Sequence, residues 1–432
     1  MLRIRKVRNP FGGKKTLELT IPPSFRCPIS LDLMKDPVTL CTGITYDRQS
    51  IDTWLDAGNR TCPATKQVLH SLEQIPNHTL RRMIQDWCVV NRSYGIERIP
   101  TPRIPVTRMD VSKILEEITI KSRRGDRSGC LELVKKVEML GRETERNRRL
   151  IVSNETARAL SEAFNTFAAA SADVDASVLE SVLSLITWMF PLDDEETRCN
   201  LGSPSSLNCL AWFLKCGSLA GRRNAVLVMR ELASSHQSYV DALSETDGLV
   251  DALVKVIREP ICLMTTKASL IVIYHMVSSS ASKEKTVMKL VEMGVVSLLL
   301  EMLVDSDKSV CEKALGALDG IFSYEKGREE AYSHALTTPV LVKKMFRVTD
   351  LATEFAVSGL WKLCKNYKGD DGRFMVEALM VGVFQKVLLL LQVGCGERTK
   401  EKATDLLKML NVHRGNGECI DSMDFKQLKR PF

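Results

Sequence analysis

The sequence has few histidines and no long apolar run, and each shortage excludes a class of protein. Only six of its 432 residues are histidine, and none is paired with cysteine at zinc-finger spacing. No segment approaches the roughly 18 unbroken apolar residues of a membrane helix, and "MLRIRKVRNPFGGKK" lacks the apolar stretch of a secretory signal. The 13 cysteines are too scattered for a disulfide framework. These absences predict a cytoplasmic or nuclear protein without a membrane span.

Positive charge is concentrated near the N-terminus. Residues 1–108 contain 17 Lys or Arg and 9 Asp or Glu, whereas the whole chain has a net charge of +7. A basic segment can bind nucleic acid or an acidic protein, but "RIRKVR" and "GGKK" carry no nucleic-acid motif and no interleaved aromatic residue beyond Phe11. We therefore interpret residues 1–20 as a basic, flexible tail and expect no nucleic-acid partner.

Residues 21–95 carry a pattern that predicts a compact α+β unit. "PVTL" and "ITY" are short β-prone runs on either side of Gly43 and predict a tight hairpin. An apolar stripe that includes Trp54 predicts a helix that Gly58 ends. A second helix begins after Asn77, a favourable N-cap. Its predicted apolar stripe comprises Leu80, Met83, Ile84, Trp87 and Cys88.

The remainder of the chain is predicted to be a linker followed by a helical repeat. Three prolines within residues 96–109 predict an extended spacer. Residues 110–415 then repeat a Gly or Pro breaker, an apolar helix and a second helix with a buried alanine, and residues 416–432 form a C-terminal tail. Successive alanines lie 43, 46, 42 and 47 residues apart: Ala225, Ala268, Ala314, Ala356 and Ala403. This period predicts an all-α armadillo-type solenoid of about seven repeats, the first two weakly marked.

The stretch from Cys27 to Thr65 has the outline of a cross-brace zinc module that lacks most of its ligands. Cys27 and Cys62 each open a CxxC spacing that ends in Ser30 or Thr65, and only Cys41 occupies another ligand position. Three thiols cannot satisfy two tetrahedral zinc ions. We therefore expect no metal, and loops held by hydrogen bonds and ion pairs instead. The predicted network comprises Ser30, Asp36, Tyr46, Asp47, Arg48, Gln49 and Thr65.

These residues carry a resemblance to a known family. "IPPSFRCPISLDLMKDPV", "GITYDRQSIDTWL", "TCPAT" and "QIPNHTLRRMIQDWC" resemble a U-box, the zinc-free relative of the RING domain. With the predicted solenoid, the chain resembles the plant U-box ubiquitin ligases with C-terminal armadillo repeats. "NPFGGKK" and "RIPTPRIP" resemble the elicitor-responsive branch of that family.

The resemblance implies an E3 ubiquitin ligase that needs no cofactor. Such a ligase docks a ubiquitin-conjugating enzyme (E2) charged with ubiquitin and forms no covalent intermediate itself. It orients the thioester toward a substrate lysine, which is catalysis by positioning. The resemblance further implies a protein substrate bound by the armadillo repeats and a role in plant defence or stress signalling, and it leaves open a homodimer formed through the U-box.

The family's E2-binding positions carry over to an apolar set. These positions are Ile29, Leu31, Trp54 and Pro63. Ile29 and Leu31 alternate with Ser30, so we expect both to point one way while Ser30 points back into the module. Many family members place an arginine that bridges ubiquitin and E2 where this chain has Lys66, and an ammonium cannot make the bidentate contact of guanidinium. Either Lys66 is a weaker point-charge bridge, or closure of the E2–ubiquitin pair relies on other contacts; in both cases discharge is expected to be slower than in a Lys66→Arg variant.

Other interpretations remain open from the sequence. The chain could be a non-catalytic armadillo scaffold with a vestigial U-box, and a zinc RING is disfavoured by the missing ligands. Trp54 lies on an apolar helical stripe, so core packing is an alternative to E2 contact. Cys27 and Cys62 have no neighbouring histidine, which favours packed thiols over catalytic nucleophiles.

Overall fold

The computed structural model divides the chain into two compact units, Met1–Thr107 and Arg108–Phe432. It describes residues 21–92, 96–97, 99, 106–170, 176–279, 283–369 and 372–413. The predicted N-terminal tail, the C-terminal tail and the three prolines of the predicted linker lie outside the described residues.

The N-terminal unit is built on a small antiparallel sheet. Its strands are β1 (Pro37–Thr39), β2 (Thr45–Asp47) and β3 (Ile75–Pro76), in the order β2-β1-β3. The hairpin between β1 and β2 turns at Gly43, whose φ of 77° favours glycine. Val38 pairs with Tyr46 across the hairpin, and both side chains are buried. The hairpin was predicted, whereas β3 was not.

Two helices complete this unit. Helix α1 (Arg48–Asp56) follows β2 directly, and α2 (His78–Val90) begins at the predicted N-cap, where the Asn77 side chain accepts the amide of Leu80 at 3.0 Å. The predicted apolar stripe of α2 was one residue too wide, because Met83 is 52% exposed. Ile84 and Cys88 are the buried residues of α2, and Leu80 and Trp87 pack against the same core, whereas Met83 lies outside this cluster.

The core of the N-terminal unit continues past the residues that the sequence assigned to it. Ile99 is buried in the same apolar cluster as Tyr46 and Ile51, and Ile96 packs against that cluster. Both isoleucines fall within residues 96–109, the predicted linker. The described part of that segment therefore packs on the unit as well as leading away from it.

The C-terminal unit is helical throughout its described residues. Its helices are α3 (Arg108–Arg123), α4 (Arg127–Glu143), α5 (Glu145–Val152), α6 (Thr156–Ala169), α7 (Ser177–Ile186), α8 (Glu195–Leu201), α9 (Pro204–Cys216), α10 (Leu219–Ser235), α11 (Gln237–Glu245), α12 (Leu249–Arg258), α13 (Leu263–Ser279), α14 (Lys283–Glu292), α15 (Val295–Asp305), α16 (Lys308–Ile321), α17 (Glu325–Ser333), α18 (Thr337–Lys344), α19 (Asp350–Lys365), α20 (Arg373–Met380), α21 (Val383–Val393) and α22 (Glu397–His413).

These helices form a solenoid of repeated pairs. The described helices contain seven packed pairs, α3 with α4, α6 with α7, α9 with α10, α12 with α13, α15 with α16, α18 with α19 and α21 with α22. The second helix of each pair packs on the second helix of the next, from α4 through to α22. The five alanines that set the sequence period are all buried on these second helices. The predicted fold class, an α+β unit followed by an all-α repeat solenoid, is confirmed.

Candidate functional site

Two loops of the N-terminal unit have the same backbone structure. In the first loop, residues 27–32, the amide of Cys27 donates to the carbonyl of Asp32 at 2.9 Å, and the amide of Leu31 donates back to the Cys27 carbonyl at 2.8 Å. In the second loop, residues 62–67, the amide of Cys62 donates to the Gln67 carbonyl and the amide of Lys66 to the Cys62 carbonyl, both at 2.8 Å. The two loops are therefore structural twins.

The match extends to the backbone conformation at the loop tips. Leu31 has a φ of 61° and Lys66 a φ of 63°, the left-handed region that non-glycine residues rarely adopt. Both residues were singled out as binding positions from the sequence. A sequence signal for the match exists in the repeated pattern Cys-Pro-x-Ser/Thr, 35 residues apart, although the sequence analysis treated the two loops separately.

The sulfur of Cys62 is surrounded by hydrogen-bond donors. The Thr42 hydroxyl donates to Sγ at 3.3 Å, and the Tyr46 hydroxyl lies 3.0 Å from it. The amide of Ala64 donates to the Tyr46 oxygen at 3.1 Å, which leaves the tyrosine proton for the sulfur. Burial raises the pKa of the Cys62 thiol, but hydrogen bonds from Thr42, Thr65 and Tyr46 outweigh burial and lower this pKa to about 6. Cys62 is therefore an anionic anchor for the second loop at neutral pH.

Cys27 has the same surroundings in the first loop. The amide of Asp47 donates to its sulfur at 3.3 Å. Burial again raises the thiol pKa, while hydrogen bonds from the amides of Ser30, Asp47 and Ile29 outweigh it, so that the pKa of Cys27 is lowered. Tyr46 and Asp47 are neighbours on β2, so one strand fixes both loops through their sulfurs. These bonds do the work that metal coordination does in a zinc module.

An ion pair and a carboxylate hold the segment before β1. Arg48 Nε donates to Asp36 Oδ2 at 2.6 Å, and both side chains are largely buried. Asp47 Oδ1 accepts the amides of Lys35 and Asp36 at 2.8 and 2.9 Å. The structure thus brings Asp36, Tyr46, Asp47 and Arg48 together around β2.

Three predicted members of the network have exposed side chains in the structure. Gln49 is exposed, and its contribution is a backbone carbonyl that accepts the Thr53 hydroxyl. Its predicted place is taken by Gln74, which accepts Arg48 Nη1 at 3.2 Å and donates to Asp52 at 2.6 Å. Ser30 is exposed and engages the Cys27 sulfur through its backbone amide. Thr65 is also exposed, and it engages the Cys62 sulfur through its hydroxyl first and its amide second. The sequence did not identify Gln74, because it lies 26 residues from Arg48.

The predicted E2-binding residues differ in exposure. Leu31 is 68% exposed, whereas Ile29, Trp54 and Pro63 are partly buried. Ile29 and Trp54 also pack against the core, so both have a structural role. Ser30 was expected to point into the module, and it is exposed instead. The expected orientation of Ser30 is wrong because residues 28–30 form a turn, in which side chains do not alternate as they do in a strand.

Trp54 connects α1 to the second loop. Its indole Nε1 donates to the Thr61 carbonyl at 2.8 Å, immediately before Cys62, and its own carbonyl accepts the Asn59 side chain at 3.0 Å. Lys66 is exposed on the second loop, and Lys35 and Arg60 are exposed nearby in sequence to the two loops. The two loops are therefore fixed by hydrogen bonds, expose the apolar side chain of Leu31, and have exposed basic residues in or next to them in sequence.

Metal sites and membrane spans have little support in the described residues. In the described part of the chain, no group of three or more His, Cys, Asp or Glu side chains is arranged to hold a metal ion. No single described helix is long and apolar enough to cross a membrane, and one pair, α20 with α21, meets that length and composition only when counted together across a bend of 62°.

Comparison with known proteins defines the class. A model of the U-box domain matches residues 21–93, and a model of the plant U-box protein ARM repeat region matches residues 110–430. The fold and the twin loops are thus those of a U-box protein with armadillo repeats. The chain belongs to the plant U-box family that carries this armadillo region.

Similar proteins cover almost the whole chain. U-box domain-containing protein 21 of Arabidopsis thaliana is 46% identical over 418 residues, which are 96% of this chain and 94% of that protein. U-box domain-containing protein 20 of the same plant is 44% identical over 423 residues, 96% of this chain and 94% of that protein. The Arabidopsis E3 ubiquitin-protein ligase PUB22 is 32% identical over 429 residues, 91% of this chain and 94% of that protein.

Proposed function

We propose that this chain is an E3 ubiquitin ligase whose U-box docks a ubiquitin-charged E2 and whose armadillo repeats hold the protein substrate. The observation that carries the proposal is Leu31, an apolar side chain 68% exposed at the tip of a loop whose backbone is fixed by paired hydrogen bonds. An exposed apolar side chain on an ordered frame is typical of a protein-binding surface.

The rigidity of the two loops supports this role. The Cys27 and Cys62 sulfurs, the Tyr46 and Asp47 anchors and the Trp54 indole bond fix the loops before any partner arrives. A preorganised surface loses little conformational entropy on binding, so more of the contact energy contributes to affinity. The matched loops thus favour docking of a partner over a vestigial role.

The chemistry of the loops favours transfer by positioning. Cys27 and Cys62 are fully buried, and their sulfurs accept hydrogen bonds from the protein itself, so neither can attack a thioester. The E2 therefore keeps its ubiquitin until a substrate lysine arrives, and the U-box restricts the orientations of the pair. Lys66 would supply a cation next to this surface.

A row of aromatic residues on the solenoid supports substrate binding. Tyr274 of α13 and Phe355 of α19 meet edge to face at 5.7 Å over Gly316 of α16, where a Cβ would lie 3.1 Å from both rings. Trp361 of α19 follows, with its indole donating to Asp405 at 2.7 Å and the Lys365 ammonium 4.4 Å from its ring. All three rings are partly exposed, and aromatic side chains are enriched at protein interfaces.

The proposal is tested by ubiquitin discharge from a panel of charged E2 enzymes, with the full chain and free lysine as acceptor. Leu31→Ala removes exposed apolar surface without a folding penalty, and we expect at least a tenfold slower discharge, since hot-spot residues contribute about 2 kcal/mol or more. Met83→Ala is the matched control, because Met83 is also exposed but lies on α2. Discharge that no E2 in the panel supports would favour the scaffold alternative, and equal rates for both variants would exclude the Leu31 surface.

A further inference from the structure

A small cavity in the armadillo region is lined by four cations. It has a volume of about 110 Å³ and lies between the end of α18, the following loop and the first turn of α16. Its lining residues are Ser306, Lys308, Cys311, Lys343, Lys344, Arg347 and Val348. No carboxylate is among the residues that line this cavity, so nothing in its wall neutralises the positive charge.

The four cations also lack ion-pair partners in the described part of the chain. Other lysines on α16 and α19 are paired: Lys313 of α16 contacts Glu312 at 2.5 Å, and Lys362 of α19 contacts Asp319 at 2.7 Å. No described carboxylate lies within 4.0 Å of Lys308, Lys343, Lys344 or Arg347, although charged pairs elsewhere in the unit are frequent. Asp307, the nearest acid in sequence, caps α16 by accepting the amides of Ser309 and Val310.

Helix dipoles explain only half of this charge. Lys343 and Lys344 end α18, where a cation is favourable, but Lys308 is the first residue of α16, where the partial positive charge of the helix disfavours it. Lys386 is a further basic group close to Arg347: burial and the charge of Arg347 lower the pKa of Lys386. A positive charge that opposes a helix dipole and has no internal partner points to an anion supplied from outside.

We propose that this cavity binds the phosphate group of a phosphorylated side chain on the protein held by the repeats, an inference that rests on the proposed substrate role. A phosphate brings nearly two negative charges and three acceptor oxygens, and a guanidinium such as Arg347 can bind two of these oxygens at once. The cavity lies at the start of α16 and is lined by Val348, two residues before α19; these two helices carry Gly316, Phe355 and Trp361. A protein segment lying along that aromatic row can therefore place a phosphate in the cavity. A lipid head group in a membrane would not need the aromatic row, so the row favours a protein-borne phosphate.

The test uses the full chain and immobilised peptide arrays that present degenerate sequences around phosphoserine, phosphothreonine or phosphotyrosine, each beside its unphosphorylated copy. We expect phosphorylated peptides to bind at least tenfold more tightly, because two or more charge-assisted hydrogen bonds are gained. The variant Lys344→Glu/Arg347→Glu should lose this preference. Lys135→Glu/Lys136→Glu on α4 is the control, since it makes the same charge change at exposed positions far along the chain.

Three further outcomes separate the sources of the anion. Inorganic phosphate that competes fully at millimolar concentration, with no preference among peptides, would show a free-oxyanion site and overturn the protein-borne source. Binding to vesicles that contain phosphatidylinositol phosphate, with no peptide preference, would overturn the proposal in favour of a membrane. Ubiquitin discharge from E2 is measured in the same samples. A normal discharge rate with no phosphopeptide preference would reject the cavity while leaving the ligase function standing.

Discussion

The contacts that stabilise the interior of each unit differ between the U-box and the solenoid. In the U-box, single contacts such as the Arg48–Asp36 pair and the hydrogen bonds to Cys27 and Cys62 each occur once, around a short three-stranded sheet. In the solenoid, the same packing of second helices recurs along seven pairs. Unique contacts fix the loops of a small unit accurately but give it no redundancy, whereas each repeat of a solenoid contacts only its neighbours, so a local loss of stability stays local.

The largest expected effect comes from removing matched ion pairs in the two units. Arg48 and Asp36 are 17% and 22% exposed, and Lys362 and Asp319 of the solenoid are 16% and 18% exposed. Each change leaves a largely buried carboxylate without its cationic partner. We therefore expect Arg48→Met and Lys362→Met each to lower the free energy of local unfolding by about 2 kcal/mol. In the small U-box this loss should unfold a measurable fraction of the unit and slow ubiquitin discharge, while the solenoid variant should discharge ubiquitin normally.

Hydrogen exchange followed by mass spectrometry locates each loss. For Arg48→Met, faster exchange should spread over both U-box loops, because β2 anchors them together. For Lys362→Met, it should stay within α16 and α19, which that pair joins. Exchange that spreads along the whole solenoid would contradict the difference in redundancy between the two units.

The same comparison separates what the sequence could predict from what it could not. The solenoid was predictable because one local pattern repeats every 42 to 47 residues. The outline of the U-box was predictable because its motifs follow one another along the sequence with few gaps. The orientation of Ser30 in the first loop was not predictable from the sequence. It was inferred from strand-like alternation of side chains, and the left-handed backbone at Leu31 is not compatible with that alternation. Gln74 and the cation cavity were also missed, because long-range folding brings their parts together.

The next largest effect is the pH dependence of stability, which should differ between two buried cysteines, one in each unit. The pKa of Cys62 is lowered to about 6 by its hydrogen bonds despite burial, whereas burial, with the charge of Asp126, raises the pKa of Cys130 in the solenoid to about 11. A free thiol titrates near 9.0. Between about pH 6 and 9 the unfolded chain therefore binds one more proton at Cys62 than the folded chain, so the Cys62 contribution to stability is present above pH 9 and is lost as the pH falls through about 6.

We expect the protection of residues 61–69 against hydrogen exchange, corrected for intrinsic rates, to rise with pH across this window. Cys62→Ala should flatten that rise, because the alanine binds no proton in either state. Cys130→Ala is the comparison in the solenoid: a thiol that stays neutral in both states below pH 8 contributes no pH dependence there. An undiminished rise in Cys62→Ala would show that Cys62 is a neutral thiol.

The smallest expected effect concerns a surface contact of the U-box that folding does not need. Lys66 is exposed on the second loop, so Lys66→Arg should leave exchange protection unchanged. A guanidinium can bridge ubiquitin and E2 with two parallel hydrogen bonds where an ammonium offers a point charge, and we expect ubiquitin discharge to become about two- to fivefold faster. Lys35→Arg, also exposed beside the loops, controls for a general effect of arginine. A rate equal to or below that of the natural chain would show that closure of the E2–ubiquitin pair relies on contacts other than position 66.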